Sequence, residues 1–388
     1  MKKRVLYLHP HFTLPGGAGR HALETGKELA RRGWDVHIAS IRRSKTLISG
    51  CEEITFHELG GPLSSSLLFW ARLPLVLLQT RRLVETLKPD IVFSQVFPAN
   101  WWGFFAKATL GDAINHVWMC QEPSAFIHSK RWIKALPYSA AGIAARILNP
   151  ILKVLDRRFA RHVDAVFANS NFSKTLALDA YGYADSQVGI CYPGVDTTRF
   201  RPSPDFGKKE KQFVACARLT KFKNVDKVLH AFTRLTIQGA TLIVIGDGEE
   251  YERLIALSRQ LSLEGAVVFR KSVSDAEMVN TLRESVALIH AAEEEPFGLA
   301  PVEAMACGTP VIAIKGGGPA ETIVHGETGY LCDSASPENL SVAIEHMLTQ
   351  SSDMSLTRDA CVMRAKLFSW QSATDSLERA FSALMDSR

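Results

Sequence analysis

The chain has 388 residues, which is too long for one ordinary hydrophobic core and predicts about two domains. Charged residues make up 22% and hydrophobic residues 46% of the sequence, which excludes a disordered or fibrous protein and is typical of a globular one. The sequence contains no run of about 18 uninterrupted apolar residues, so no transmembrane helix is predicted.

The net charge of +5 is unevenly distributed along the chain. Residues 1–200 carry 25 Lys and Arg against 15 Asp and Glu, a net charge of +10, whereas residues 201–388 carry 20 against 25, a net charge of −5. A basic half suggests an anionic partner. Because the basic residues are scattered and do not cluster with aromatic ones, we predict an anionic membrane surface and no nucleic acid.

The seven cysteines form no Cys-x-x-Cys pair and have no histidine nearby at metal-ligand spacing. Most of them lie in apolar runs, which favours reduced, buried thiols in a cytoplasmic protein over disulfides or zinc. The basic start Met1-Lys-Lys-Arg resembles that of a signal peptide, but the following apolar run stops at His9. We therefore predict that this run is the first strand.

The first half alternates apolar strands with amphipathic helices. Strand 5–8 leads through Gly16-Gly17-Ala18-Gly19 into a helix from about residue 20 to 32, which Gly33 ends. The loop lacks the Gly-x-Gly-x-x-Gly pattern, so it signals no dinucleotide. The alternation predicts an α/β fold with a doubly wound parallel sheet. The other predicted strands of this half are 36–41, 90–94, 116–120, 164–169 and 188–191.

Two segments of this half combine apolar and basic residues. Segment 67–78 is nearly all apolar but is broken by Arg72 and Pro74. Segment 132–161 begins at Trp132 and, with Arg131, contains seven basic residues among branched aliphatic ones. Such segments either lie in a membrane interface or pack as amphipathic helices with Lys and Arg at the rim. The residues alone leave both interpretations open.

A domain junction is predicted near 192–202, where Pro193, Gly194 and Pro202 follow a strand. Residues 204–211 are typical of a polar, exposed linker. We therefore predict an N-terminal domain over 1–195, a C-terminal domain over 196–369 and a terminal helix over 370–388.

The second half places two cations just after a predicted strand, 213–217. Arg218 and Lys223 follow the carboxyl end of this strand, where open α/β sheets bind ligands, and they could neutralise a diphosphate. The alternative is a pair of surface cations, which we prefer for Lys221 and Lys227. Strand 241–245 runs into Gly246-Asp247-Gly248, a weak indication of a ligand loop.

The most informative stretch is 286–332. After a buried strand at 286–290, Pro301 is predicted at the first position of a helix, and Ala300 before it cannot cap that helix. The free backbone N–H groups around 298–303 suit an anion such as phosphate. Glu295 and Glu303, eight positions apart, could accept hydrogen bonds from sugar hydroxyls. Either Glu alone is explained by loop solvation or by the helix dipole, but the whole string indicates a sugar–phosphate site.

The string EPFGLAPVE, followed by AMACGTPVI, resembles the Glu-x7-Glu donor signature of the retaining glycosyltransferases of family 4, the glycosyl transferases group 1. Arg-Leu-x-x-x-Lys at 218–223 and the Gly-Gly-Ala loop at 16–18 are similar to that family as well. The resemblance implies the GT-B fold, in which two Rossmann-like doubly wound domains face each other across a cleft. It also implies a C-terminal helix that crosses back to the first domain.

The resemblance implies roles for particular residues. Arg218, Lys223 and Glu295 would be catalytic, with Glu295 on the donor sugar and Glu303 on the ribose. Many members carry a histidine in the first domain where Gln121 stands here, so Gln121 or Glu122 is expected on the acceptor side, and His128 is a further alternative. The remaining residues expected at the donor are Gly16, Gly17, Gly246, Phe297, Gly298, Leu299 and Ala300.

The implied activity is metal-independent transfer of a hexose from GDP-mannose or UDP-glucose to a hydroxyl of a glycan or lipid-linked acceptor, without a cofactor. Such an enzyme would be cytoplasmic or peripheral on the inner face of the membrane. The absence of an Asp-x-Asp motif argues against the metal-dependent class of glycosyltransferases. The alternatives are a non-catalytic protein that binds a sugar nucleotide or a membrane, and a GT-B-fold epimerase or phosphorylase.

Overall fold

A computed structural model describes residues 2–13, 16–60, 66–129, 133, 139–203, 211–349 and 354–387. The chain divides into two compact units: the first comprises residues 1–193 and 370–388, and the second comprises residues 194–369. The predicted boundary lies two residues later in the chain. Of the predicted linker 204–211, all but Lys211 lies outside the described residues.

The elements of the first unit alternate between strands and helices. In chain order they are β1 (Arg4–Leu8), β2 (His11–Phe12), α1 (Gly17–Arg31), β3 (Asp35–Ser40), β4 (Arg42–Arg43), β5 (Thr55–Glu58), α2 (Ser66–Leu87), β6 (Ile91–Ser94), α3 (Ala99–Leu110), β7 (Asn115–Met119), α4 (Ala125–His128), α5 (Ala140–Ala160), β8 (Ala165–Ala168), α6 (Asn171–Tyr181) and β9 (Val188–Ile190).

Among the described residues of this unit, seven strands form one parallel sheet in the order β5-β3-β1-β6-β7-β8-β9. The chain runs outward from β1 to β5 and then starts again at β6 on the other side of β1. The carboxyl ends of β1 and β6 therefore flank the point where the strand order reverses. Val5–Leu8 is buried throughout and shows no polar alternation, as expected of a strand covered on both faces.

The elements of the second unit follow the same alternation and lead to the terminal helix. In chain order they are β10 (Gln212–Cys216), α7 (Val225–Phe232), β11 (Thr241–Ile245), α8 (Tyr251–Gln260), β12 (Val267–Arg270), α9 (Asp275–Glu284), β13 (Ala287–His290), α10 (Leu299–Ala306), β14 (Val311–Ile314), α11 (Pro319–Thr322), β15 (Gly329–Cys332), α12 (Pro337–Thr349) and α13 (Met354–Ala365), followed by α14 (Trp370–Asp386).

The described strands of the second unit form a parallel sheet in the order β12-β11-β10-β13-β14-β15. Counted from β10, this is the 3-2-1-4-5-6 order of the dinucleotide-binding folds. Its reversal point lies between the carboxyl ends of β10 and β13. The predicted pair of Rossmann-like, doubly wound domains is confirmed.

Helix α14 belongs to the first unit although it ends the chain. The ring of Phe381 is fully buried, with its centroid 5.8 Å from that of Trp34 and 5.3 Å from that of Phe93. Trp34 donates its indole N–H to Glu378 over 2.8 Å. The predicted return of the terminal helix to the first domain is confirmed.

Two helices begin earlier than predicted. Helix α1 starts at Gly17, because Gly16 already accepts a hydrogen bond from the amide of Arg20. Helix α10 starts at Leu299, so Pro301 occupies its third position and the prediction of the first was wrong. A proline fits there because the N–H groups of the first turn have no acceptor within the helix.

The two apolar and basic segments are parts of helices α2 and α5, and Pro74 lies inside α2. Trp132 lies outside the described residues. Within the described ranges, no helix has both the length and the apolar character needed to cross a membrane. All seven cysteines are free, and six of them are buried.

Candidate functional site

The reversal point of the second sheet brings together two of the predicted catalytic residues. Lys223 ends a short 3-10 turn after β10, Glu295 lies in the loop after β13, and their side chains form an ion pair. Asn224 has a positive φ of 52° and donates from its side chain to the carbonyl of Ala291 over 2.9 Å. This bond holds the two loops next to each other, so the ion pair has a fixed place.

Glu295 is ionised in this setting. Burial by itself would raise the pKa of its carboxyl group, but His290 and Lys223 outweigh burial and lower the pKa to about 2. The Nε2 atom of His290 lies 3.5 Å from the carboxylate. Sequence reasoning missed His290, and the only signal was a polar residue at the carboxyl end of an apolar strand. An ionised Glu295 can only accept hydrogen bonds.

The other two charged residues of the predicted donor site are Arg218 and Glu303, and both lie near the same reversal point. Arg218 is the second residue after β10, is exposed, and makes no ion pair within the described part of the chain. Glu303 lies in helix α10. Burial raises the pKa of the Cys216 thiol at the end of β10, and the negative charge of Glu303 raises this pKa further. Both therefore lie near the reversal point, although Arg218 forms no ion pair with Glu295.

The start of helix α10 has the features of an anion site. Its N-cap is Gly298, with φ of +83°, and no side chain caps the helix. Leu299 and Ala300 form the first turn and are partly exposed. The ring of Phe297 is buried, with its centroid 5.8 Å from that of Phe368. Only the backbone of Phe297 is therefore available to a ligand.

The glycine loop 316–318 packs directly against the loop that carries Glu295. The amide of Gly318 donates to the carbonyl of Glu295 over 2.8 Å. A Cβ atom on Gly318 would lie 2.3 Å from the Cα of Phe297, a distance that no side chain tolerates. The glycine loop therefore supports the backbone of the candidate donor site.

Gly246 also has a packing reason to be glycine. Its φ is +141°, and a Cβ atom there would lie 1.9 Å from the carbonyl oxygen of Ala217. The loop after β11 thus rests on the loop that carries Arg218. A donor contact by Gly246 stays a prediction.

The reversal point of the first sheet carries a buried polar cluster: His9 after β1, Gln95 after β6, Gln121 after β7 and His21 on helix α1. The Nε2 atom of Gln121 lies 3.5 Å from the Oε1 atom of Gln95. Of this cluster, sequence reasoning identified only Gln121. The sequence signal for the other three residues would have been a polar side chain just after a buried strand, or on the helix that follows such a strand.

This cluster is uncharged. Burial lowers the pKa of His9 to about 3 and that of His21 to about 4, so both rings are neutral near pH 7. Within the described residues, both ring nitrogens of His9, Nδ1 of His21 and the amide nitrogen of Gln95 have no well-aligned hydrogen-bond partner. Neutral imidazole and amide groups each offer a donor and an acceptor, as a hydroxyl group does.

The remaining predicted residues of the first unit lie in different settings. Gly16 and Gly17 are exposed at the start of helix α1, and Glu122 is exposed after β7. His128 binds Asp156 through Nε2 over 2.8 Å, at a carboxylate that is fully buried. This engagement favours Gln121 over His128 on the acceptor side. Across the described ranges, no group of three or more His, Cys, Asp or Glu side chains is placed to hold a metal ion.

Comparison with known families decides the family. The sequence profile of glycosyl transferases group 1 matches residues 196–366, and that of glycosyltransferase family 4 matches residues 15–199. Together the two profiles account for most of the chain. The chain belongs to glycosyltransferase family 4.

This family 4 glycosyltransferase has curated relatives along most of its length. It is 26% identical over 333 residues to N-acetyl-alpha-D-glucosaminyl L-malate synthase of Bacillus anthracis, covering 82% of this chain and 81% of the relative. It is 24% identical over 403 residues to D-inositol 3-phosphate glycosyltransferase of Gordonia bronchialis, covering 96% of this chain and 85% of the relative.

Among solved structures, the family 4 glycosyltransferase is similar to Anabaena HepE in complex with UDP and glucose. The TM-score is 0.78 at 22% identity, and the match covers 98% of this chain and 100% of HepE. At this identity the likeness shows the fold, and the predicted GT-B fold is confirmed.

Proposed function

We propose that this glycosyltransferase moves a hexose, mannose or glucose, from a nucleoside-diphosphate sugar to a hydroxyl of a glycan or lipid-linked acceptor. The anomeric configuration would be retained, and neither a metal ion nor a cofactor would take part. The observation that carries the proposal is the Lys223–Glu295 pair at the reversal point of the second sheet, beside the uncapped start of helix α10.

The diphosphate of the donor would lie at the start of helix α10. Backbone N–H groups of 298–300 and the helix dipole favour an anion there. Negative charge develops on the leaving diphosphate as the bond to the anomeric carbon breaks. The cations Arg218 and Lys223 would stabilise that charge. This stabilisation lowers the barrier most when the cations are held in position before the reaction.

The sugar would be oriented by Glu295, whose ionised carboxylate accepts hydrogen bonds from its hydroxyls. Glu303, on the same helix start, would accept from the ribose hydroxyls. Lys223 already forms an ion pair with Glu295. A donor phosphate would therefore bind a lysine that is held in place and would share its charge with Glu295. The backbone of Phe297, with Leu299 and Gly246, would complete the contacts around the donor.

The acceptor hydroxyl would be oriented by Gln121 and His9, the less buried members of the neutral cluster, with the fully buried His21 and Gln95 behind them. Gly16 and Gly17 would lie beside the donor sugar. In the transfer, the acceptor oxygen bonds the anomeric carbon on the face that the diphosphate leaves, and its proton passes to the departing diphosphate. Orientation and charge stabilisation then contribute more than a protein base. An uncharged cluster suits a polyhydroxylated acceptor better than an anionic one.

The donor base and the place of action follow from supporting observations. HepE is bound to UDP and glucose, which supports UDP-glucose as a donor to test beside GDP-mannose. A lipid-linked acceptor requires the enzyme to work at a membrane surface, and the net charge of +10 over residues 1–200 suits an anionic one. The proposed location is therefore the cytoplasm, with peripheral binding to the inner face of the membrane.

The first experiment measures the melting temperature with UDP, GDP, UDP-glucose and GDP-mannose. A ligand that binds the native state raises the melting temperature by mass action. We expect a selective rise with the nucleotides of one base, which would identify the donor class. No rise with any of the four would contradict the donor site and favour a non-catalytic protein.

The second experiment uses two neighbouring lysine–glutamate pairs, each of which joins the segment after β10 to the loop after β13. Lys223→Ala and Glu295→Ala are expected to lower turnover about 100-fold or more, because each removes a group that acts on the transition state. Lys227, in the first turn of helix α7, lies 3.9 Å from Glu293, two residues before Glu295, so Lys227→Ala and Glu293→Ala are the matched controls and should keep turnover. Near-normal turnover of the first two variants, with unchanged melting, would overturn the assignment.

A further inference from the structure

Helix α5 of the first unit exposes a continuous apolar face. The side chains of Ile147, Ile151 and Val154 are 69%, 59% and 66% exposed. With Ile143 they are spaced by four, four and three residues, so they form one stripe along the helix. Leu148 and Leu155, also exposed, widen the stripe on one side. Apolar side chains grouped in this way mark an interaction site, whereas single ones need no explanation.

The opposite face of helix α5 is fixed to the core, so the stripe cannot turn inward. Asp156 is fully buried and accepts hydrogen bonds from four side chains, those of Asn100, Trp101, His128 and Tyr181. The neighbouring Leu152 and Phe159 pack on the hydrophobic core around helices α2 and α3. The exposed stripe is therefore a stable feature of the folded unit.

The charges around the stripe have one sign. Asp156 is the only acidic residue in the sequence of the helix, and it is buried. Arg158 lies one turn beyond Val154 on the same stripe, Arg161 follows it, and both are exposed. Arg146, Lys153 and Arg157 lie along the edge of the stripe opposite Leu148 and Leu155. An apolar stripe with basic residues at its end and along one edge is the arrangement of a helix that lies in a lipid interface.

We propose that the exposed face of helix α5 docks the protein on an anionic lipid bilayer, with the helix axis along the surface. The branched aliphatic side chains would enter the boundary between headgroups and acyl chains, and the arginines would meet the anionic headgroups. A second copy of this chain fits less well, because the helix would bring it the same cations and no exposed carboxylate. This proposal identifies the surface for the peripheral membrane binding proposed above. It does not rest on glycosyl transfer, because bilayer binding is measured without donor or turnover.

The test is flotation of the whole protein with vesicles of phosphatidylcholine alone and of equal parts phosphatidylcholine and phosphatidylglycerol. We expect binding to the anionic vesicles, weaker binding to the neutral ones, and loss of binding as salt is raised. Equal binding to both vesicle types, or binding to neither, would overturn the proposal.

Matched variants locate the surface. Val154→Asp is expected to lower binding to anionic vesicles about tenfold or more, because it places a charge in the centre of the stripe. Val342→Asp is the control, since Val342 lies in helix α12 of the second unit and is 58% exposed. Arg158→Gln should lower binding about fivefold and weaken the salt dependence. Both aspartate variants should keep the wild-type melting temperature.

Two outcomes would reassign or remove the surface. If Val154→Asp and Val342→Asp bind vesicles equally well, helix α5 is not the docking element. If the wild type ignores vesicles but forms a dimer that Val154→Asp dissociates, the face belongs to a second copy and the bilayer proposal is wrong.

Discussion

Single residues at the second reversal point show how much of the candidate donor site depends on close backbone contact. Lys223 and Glu295 provide the charges, but the loop that carries Glu295 keeps its course because glycines lie against it. Gly317 and Gly318 would each place a Cβ atom 2.3 Å from the backbone of that loop. These glycines are therefore positioning residues for the proposed donor contacts.

A pair of alanine substitutions in one loop tests this role. A Cβ atom on Gly318 would overlap Phe297, whereas one on Gly316 would meet no atom within 4 Å. Gly318→Ala is expected to lower the free energy of unfolding by about 1–3 kcal/mol and to weaken nucleotide binding. Gly316→Ala should change neither. Urea denaturation and the nucleotide-dependent melting temperature measure both effects, and equal behaviour of the two variants would contradict the packing argument.

At the scale of elements, helices α3, α4, α5 and α6 are joined through one carboxylate. Asn100 and Trp101 donate to one oxygen of Asp156 over 3.0 and 2.7 Å, and His128 and Tyr181 bind the other over 2.8 and 2.9 Å. A buried carboxylate is tolerated here because its hydrogen-bonding capacity is filled. The bond network fixes the direction of helix α5 and hence of its apolar face.

Removal of this carboxylate is expected to destabilise the first unit. Asp156→Ala leaves buried donors without an acceptor, so we expect a loss of about 3–5 kcal/mol in the free energy of unfolding. Asp156→Asn should cost less, because one amide oxygen remains and both His128 and Tyr181 can accept hydrogen bonds. Asp179→Ala, at an exposed position of helix α6, is the control and should cost less than about 0.5 kcal/mol. Denaturation followed by tryptophan fluorescence would decide, and an undiminished stability of Asp156→Ala would refute the role.

At the scale of the whole molecule, buried histidines make the stability depend on pH. Burial lowers the pKa of His9 to about 3, of His21 to about 4 and of His116 to about 3. In the unfolded chain these groups take up a proton near about pH 6.5. Below that pH the unfolded chain binds more protons than the folded one, so stability falls from about pH 6.5 towards pH 4.

The histidines predict the size of this fall. Between pH 7.5 and 5, the free energy of unfolding should drop by about 2 kcal/mol for each of the three. Glu295 acts later, because its pKa is lowered to about 2 and its contribution is lost only below its unfolded pKa of about 4.5. His21→Gln should reduce the fall, and His230→Gln, at an exposed position, should not. Urea midpoints at both pH values test this, and the same fall in His21→Gln and wild type would contradict it.

The sequence by itself determined the fold class, the family and much of the local structure. The apolar run Val5–Leu8 predicted a buried strand because a parallel strand covered on both faces needs apolar side chains throughout. The string from Glu295 to Glu303 predicted a helix start that suits an anion. These are local properties, since each depends on residues within a few positions of one another. The edge strand Thr55–Glu58 was missed because it pairs on one side only and three of its four residues are polar.

Only the tertiary structure decided which distant residues meet. The ion pair of Lys223 and Glu295 joins residues 72 positions apart, and His290 reaches it only because β13 lies beside β10. His9 and Gln95 share a reversal point because β6 follows β1 in the sheet and not in the chain. Strand order is set by the packing of helices on both faces of the sheet, which no local pattern encodes. For the same physical reason, the sequence left the face of helix α5 undecided, and the burial of Asp156 settled it.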